Sequence, residues 1–159
     1  MLKTIIVEGP DGAGKTTLIN TLRRAIGKNA LCVHFGTPVD FREQIEAYAD
    51  TLKENRNNNK TVIFDRCWYS DRVYAPIMRG RVETDLSDQI RLETLVKSVG
   101  GAIVIYCDAP LHILWDRCRS RGEDYITSAE VLNLISKEYH EVMRSCTLPM
   151  IYLDTSEEA

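Results

Sequence analysis

Five short runs of the chain, residues 4–7, 31–35, 61–64, 102–107 and 150–153, are apolar, rich in β-branched side chains and free of polar alternation. Such runs predict strands buried on both faces. Segments with helical spacing lie between them. Leu18, Leu22 and Ile26 share one face and stop at Gly27; Ile45, Ala49 and Leu52 form a second stripe before the polar stretch 55–60. Ile90, Leu92, Leu95, Val96 and Val99 form a third that ends at Gly100-Gly101, and Val131, Leu134 and Ile135 lead a last amphipathic helix towards Met143. Strand alternating with helix predicts an α/β fold: a parallel sheet with right-handed crossovers and helices on both faces. Ligands of such sheets bind beyond the carboxyl ends of the strands. At 159 residues the chain is expected to form one domain, 1–159.

The end of the first run carries the clearest chemistry. Gly9-Pro10-Asp11-Gly12-Ala13-Gly14-Lys15-Thr16 matches G-x-x-x-x-G-K-[ST], with a predicted strand before it and a predicted helix after it. Glycines let the backbone curl until successive N–H groups surround a phosphate, and the helix that follows adds its positive end. Lys15 reaches the β- and γ-phosphates of a nucleotide, and the Thr16 hydroxyl holds Mg²⁺. Gly12, Ala13, Gly14 and Thr17 complete the cradle, so ATP and Mg²⁺ are the expected cofactors. Asp11 puts a carboxylate beside a polyanion. It either caps the following helix and its own loop amides, or accepts a hydrogen bond from an acceptor hydroxyl such as that of a sugar.

Two further clusters follow. Asp65-Arg66 leaves the third run at its carboxyl end; the acid can order the water shell of Mg²⁺ or an attacking oxygen, and the planar guanidinium can bridge donor and acceptor phosphates. The plainer alternative is an Asp–Arg pair that caps the next helix, and Trp68 and Tyr69 are expected to pack. Arg117-Cys118-Arg119-Ser120-Arg121-Gly122-Glu123-Asp124 comes after the fourth run. Its arginines fit either a solvated basic helix end or a closing lid, about residues 117–127, that supplies charge to a phosphoryl-transfer transition state.

Composition narrows the field. A formal net charge of −3 gives no positive field for a nucleic-acid polymer. No stretch is apolar for long enough to span a bilayer, and the start of the chain lacks a signal-peptide pattern. The five cysteines are scattered without a C-x-x-C pair, so neither a disulfide framework nor a zinc site is expected, and a cytoplasmic location is.

Taken in order, Glu8 to Thr17, Asp65-Arg66 with Ser70 and Tyr74, Asp108-Ala109-Pro110 leading into Arg117-x-Arg119-x-Arg121-Gly122-Glu123, and the ending Ile151-Tyr152-Leu153-Asp154-Thr155-Ser156 resemble the thymidylate kinase family of nucleoside monophosphate kinases. The resemblance implies a P-loop kinase fold with five parallel strands in the order 2-3-1-4-5, a short lid and a homodimer. It also implies ATP- and Mg²⁺-dependent phosphoryl transfer to a deoxynucleoside monophosphate, with dTMP the leading acceptor. It places Asp11 at the acceptor sugar's 3′-hydroxyl, Asp65 and Arg66 at the metal and the transferred phosphoryl, and Ser70 beside the acceptor. Tyr74 would crowd the 2′ position, and Arg117, Arg119 and Arg121 would belong to the lid over ATP. Lys15, Asp65, Arg66, Arg119 and Arg121 are then the catalytic set.

The chain departs from the family after the second strand. The usual arginine-bearing run is replaced by His34-Phe35-Gly36-Thr37-Pro38-Val39-Asp40-Phe41-Arg42, where Arg42 is the candidate for the acceptor phosphate. Phe41 and Arg72 are candidates for the acceptor base. Two other readings stay open: a deoxynucleoside kinase, which carries Glu-Arg-Ser where this chain has Asp65-Arg66-Cys67, and a non-catalytic NTP-binding module.

Overall fold

A computed structural model describes residues 3–122 and 125–157. Its centre is one five-stranded sheet in the order β2-β3-β1-β4-β5, built from β1 (Thr4–Glu8), β2 (Ala30–Val33), β3 (Thr61–Asp65), β4 (Ala102–Asp108) and β5 (Met150–Asp154). All four pairings are parallel, with Ile6 opposite Phe64 on one side and Val104 on the other. Helices on both faces complete the α/β architecture: α1 (Lys15–Ile26), α2 (Phe41–Asn55), α3 (Trp68–Tyr74), α4 (Leu86–Ser98), α5 (Leu111–Ser120) and α6 (Ala129–Arg144). A π-helical turn, Ala75–Arg79, continues α3. The expected strand order and fold class are those observed.

The central strands are apolar because both faces are covered. Ile6, Val7, Ile63, Phe64 and Val104 are fully buried. The β5 edge differs: Met150, Ile151 and Tyr152 stay exposed although their run looks like that of the inner strands. Helix ends follow local chemistry. Asp40 caps α2 by accepting from the Arg42 and Glu43 amides, Asp85 and Asp88 form a reciprocal capping box on α4, and Ser128 caps α6.

Three details differ from the pattern-based expectation. β2 ends at Val33, so His34 and Phe35 belong to the loop beyond it. Ile90 and Leu134, counted into apolar stripes, point to solvent; Leu92 and Val96 of α4, and Leu132, Ile135, Tyr139, Val142 and Met143 of α6, make the buried faces. α5 runs regularly to Ser120, so Arg117 and Arg119 stand on a formed helix, about 200° apart around its axis. Of the expected lid, Glu123 and Asp124 lie outside the described residues. No helix among the described residues is long and apolar enough to cross a membrane.

Candidate active site

The phosphate loop forms at the carboxyl end of the central strand. Gly9 passes so close to β4 that a Cβ there would run into the Cys107 carbonyl oxygen. Gly12 adopts φ 85°, a left-handed conformation that costs a side-chain-bearing residue energy. The Ala13 amide closes the turn onto the Pro10 carbonyl at 3.1 Å. Lys15 opens α1 and folds its ammonium over the loop, donating to the Gly9 and Pro10 carbonyls at 2.8 Å each. The residue reaches the surface, but the ammonium is enclosed; this desolvation, with the nearby Arg66 charge, lowers its pKa to about 7 against the pull of Asp11 and Glu8. Thr16 and Thr17 present their side chains at the exposed first turn of α1.

Glu8, the last residue of β1, is fully buried and fully used. One oxygen accepts from the Cys67 and Ser70 amides (2.8 and 3.2 Å), the other from the Ser70 and Tyr139 hydroxyls (2.6 and 3.0 Å). A carboxylate at the N-terminus of α3 meets free amides and the positive end of the helix, so its burial is compensated. The result is a clamp that fixes α3 against β1 and α6, and with it everything α3 carries.

Arg66 enters that clamp in a strained backbone. It is the one non-glycine residue with positive φ (63°) among the described residues. Its amide is held by the Val7 carbonyl at 2.9 Å. Such strain costs about 1–3 kcal/mol and persists where surrounding structure enforces it, often at functional sites. The guanidinium lies 5.0 Å above the Tyr74 ring and reaches Asp11 and the Gly9 carbonyl at 3.4 Å. Its buried Nε has no hydrogen-bond partner among the described residues. Desolvation opposes its charge, but Tyr74, Tyr139, Asp11 and Glu8 outweigh that and raise its pKa.

Asp11 receives the Tyr74 hydroxyl at 2.6 Å on its other oxygen. Burial pushes its pKa up, while Arg66, the Tyr74 hydrogen bond and Lys15 pull harder in the opposite direction, so it stays a carboxylate. Asp65, at the end of β3, is half-buried; its side chain faces His34 Nδ1 at 3.4 Å. Thr16 and Asp65 offer a hydroxyl and a carboxylate, hard oxygen donors that suit Mg²⁺, an ion that retains several waters. No cluster of three or more His, Cys, Asp or Glu side chains competes for a metal among the described residues.

Two hollows flank the phosphate loop. The first, about 280 Å³, has Asp11, Arg66 and Tyr74 at the loop end and Ser70 and Asp71 along α3. Phe35 and its loop neighbours form the opposite wall, and Arg79 and Tyr125 contribute to the rim. The second, about 750 Å³, lies on the far side, between Gly12, Gly14 and Leu18, the end of α5 and the loop after β5. Arg117 crosses its floor, donating to the Gly12 carbonyl at 3.0 Å and to the Thr155 hydroxyl and carbonyl. Thr155 in turn donates to Ala13 O at 2.8 Å. Arg121 lines the same hollow.

Lys15, Asp11, Arg66 and Tyr74 are thus brought together, and Thr16 and Asp65 adjoin Lys15 and Arg66 in the chain. Ser70 lines the first hollow, but its hydroxyl is engaged by Glu8 and Tyr139. Arg42 makes a two-point ion pair with Asp88 (2.7 and 3.3 Å) and lies over Phe41, and neither lines a hollow. Arg72 points to Gln89 and Ser145, joining α3 to α4 and the end of α6. Arg119 is exposed, paired with Asp116 and set 5.8 Å from the Trp115 ring. Sequence reasoning assigned no role to Glu8, Asp71, Arg79 or Thr155. For Glu8 a signal existed: an acid closing an otherwise apolar, fully buried strand must have a dedicated set of donors.

Comparison with protein-family models and with curated proteins gives no match. Solved structures do match. The YorR protein of Bacillus subtilis, in complex with phosphorylated GDP, superposes with TM-score 0.75 and 26% identity over 96% of this chain and 86% of YorR. Deoxyadenosine kinase of M. mycoides with products dCMP and dCDP superposes with TM-score 0.62 and 22% identity over 95% of this chain and 90% of that one. With bound dATP the same enzyme gives TM-score 0.62 and 22% identity, covering 94% and 90%. The chain, with a complete phosphate loop between two hollows of a 2-3-1-4-5 parallel sheet, thus shares its fold with YorR and with deoxyadenosine kinase.

Proposed function

We propose that the chain transfers the γ-phosphoryl group of Mg-ATP to the phosphate of a deoxynucleoside monophosphate. The observation that carries this reading is Arg66: a cation in strained backbone, with an unpartnered buried Nε, between the phosphate loop and a hollow that Asp11 and Asp71 help to line. In this reading ATP lies with its phosphates in the loop and its base over the second hollow, above Arg117 and Thr155. The acceptor lies in the first. Phosphoryl transfer needs little covalent help from a protein, so positioning and charge dominate. The loop amides and Lys15 hold the donor phosphates, and Arg66 bridges them to the acceptor phosphate. Arg121 adds charge from the donor side. Asp11, held ionised, accepts from the sugar 3′-hydroxyl, and the Tyr74 hydroxyl bound to it leaves little room for a 2′-hydroxyl. Thr16 and Asp65 would hold Mg²⁺, which when bound neutralises charge developing on the transferred phosphoryl.

dTMP is the acceptor that the sequence resemblance implies. Guanine as the base is favoured instead by the phosphorylated GDP in the similar YorR structure. The shared fold of deoxyadenosine kinase favours one further reading, transfer to a nucleoside 5′-hydroxyl. That reaction calls for a base near the hydroxyl, and Glu43, the acid nearest in sequence to the end of β2 on its following helix, is exposed and off the first hollow. An ADP-release assay over all common NMPs, dNMPs and nucleosides tests the proposal. Turnover confined to monophosphates, deoxy over ribo, is expected; turnover with nucleosides alone, or ATP binding without transfer, overturns it. The homodimer belongs to the same proposal and is read from the mass in solution.

A further inference from the structure

The base of the acceptor can be addressed from the far end of the first hollow. Cys67, Ser70, Asp71 and Tyr74 of α3 and the residue before it line this hollow. Tyr74 marks the sugar end with Asp11, and Asp71 stands one helical turn earlier, so it faces the part of an acceptor that lies beyond the sugar. Phe35 and Gly36 form the wall across from α3 and leave a slot with an aromatic ring on one side.

Asp71 is almost completely buried, and its hydrogen bonds leave one oxygen nearly idle. Oδ2 accepts from the Tyr48 hydroxyl at 2.8 Å. Oδ1 meets only the Gln44 Nε2 at 3.5 Å among the described residues. That amide nitrogen has two hydrogens and shorter contacts for both, with Gly36 O at 3.2 Å and Tyr48 Oη at 3.1 Å. Two lone-pair sites on a buried carboxylate are therefore left to a ligand, and a carboxylate there, without a second strong donor, costs the fold energy. Desolvation raises the Asp71 pKa to about 6, the Tyr48 and Gln44 bonds only partly offsetting it, so at pH 7.5 the group is ionised and can only accept.

We propose that Asp71 reads the pairing edge of the acceptor base and selects one with two adjacent N–H donors, which is guanine. This rests on the reading of the first hollow as the acceptor site and deepens it. Guanine presents N1–H beside N2–H₂, which match two carboxylate oxygens in the two-point, charge-assisted geometry. Thymine and uracil present one N–H between two carbonyl oxygens, so a carboxylate opposite them sets lone pairs against lone pairs. Adenine and cytosine each place an amino group beside an unprotonated ring nitrogen, with the same repulsion at one of the two contacts.

The test uses the intact protein with Mg-ATP and compares dGMP, dIMP, dTMP, dCMP and dAMP by kcat/KM. dIMP has the guanine edge without its 2-amino group. Expected is dGMP over dTMP by about tenfold or more and over dIMP by about fivefold or more. Asp71→Asn, which keeps the shape but loses one acceptor, should bring the dGMP/dIMP ratio close to one. A wild-type preference for dTMP, or a dGMP/dIMP ratio unchanged by Asp71→Asn, overturns the inference and leaves phosphoryl transfer standing. If Asp71→Asn fails to fold, the wild-type dGMP/dIMP/dTMP order alone decides. If no monophosphate is turned over, the transfer proposal fails, and equilibrium binding of the same five nucleotides decides this one: equal affinities for dGMP, dIMP and dTMP overturn it.

Discussion

The two hollows beside the phosphate loop are built on opposite principles. In the smaller, charged and hydroxyl side chains of the lining are held by one another or from behind by buried side chains: Ser70 by Glu8 and Tyr139, Asp11 by Tyr74, Asp71 by Tyr48. In the larger, the lining side chains Arg117 and Thr155 are pinned to backbone, the carbonyls of Gly12 and Ala13. Side-chain networks of this kind fix position closely and fail sharply, because each buried polar atom lost leaves its partner unsatisfied. Contacts to backbone carbonyls hold a loop's shape and tolerate variation in what lies above it. The difference fits a site that must place an acceptor with care and need only retain a donor.

Removing a charge from the meeting point of the hollows should have the largest effect. Lys15→Ala and Arg66→Ala are each expected to lower kcat by about 10³-fold or more, with unchanged circular dichroism. Wild-type turnover in Arg66→Ala would dissolve the distinction between the two sides. Arg117→Ala should act on the donor side alone, raising KM for ATP about 10- to 100-fold while KM for the acceptor holds, as steady-state kinetics will show. A rise in both constants would mean that the hollows are mechanically one.

Stability gives a third measure. The folded pKa of Asp71, about 6, exceeds the ordinary 3.8, so the fold is penalised as pH climbs from 4 to 6 and equally at every pH above that. Asp71→Asn is therefore expected to be more stable to urea by about 1–3 kcal/mol at pH 8, with the gain fading towards pH 4. A variant less stable at pH 8 would show that the carboxylate holds the cavity together instead of straining it.

A smaller signal should come from Lys15. With its pKa lowered to about 7, the ammonium is partly deprotonated at pH 7.5, and bound phosphates restore the charge. ATP binding should then take up a fraction of a proton, seen in calorimetry as a dependence on the buffer's ionisation enthalpy and absent in Lys15→Ala. Smallest of all, Arg42→Ala and Arg119→Ala should change kcat/KM by less than about threefold, since both arginines are exposed, paired with a carboxylate of their own and off the first hollow. A large loss in either would show that α2 or α5 moves towards the hollows during turnover.

Arg42 and Arg66 show how far residue type can be trusted. Both are arginines that follow a strand and precede or enter a helix. Arg66 sits directly at the end of β3, where the sheet itself aims it at the loop. Arg42 sits beyond a seven-residue loop after β2, and Asp88, already part of the α4 cap, captures it. Position right after a parallel strand is legible in sequence; the partner that claims a side chain further along is not. Ile90 and Leu134 make the same point for packing, since a loose apolar stripe names more residues than the neighbouring helix can cover.

The sequence by itself determined the alternation of buried strands and helices, the phosphate loop between β1 and α1, and the acid–arginine pair that leaves β3. Each of these is local: a strand's apolarity, a glycine turn and a helix start need only neighbouring residues to be recognised. Tertiary structure alone decided that Glu8 would clamp α3, that Arg66 would be held in a left-handed backbone above Tyr74, and that Asp71 would face the first hollow with an oxygen to spare. Those outcomes depend on groups brought from distant parts of the chain, and on which of several possible donors reaches a buried carboxylate first.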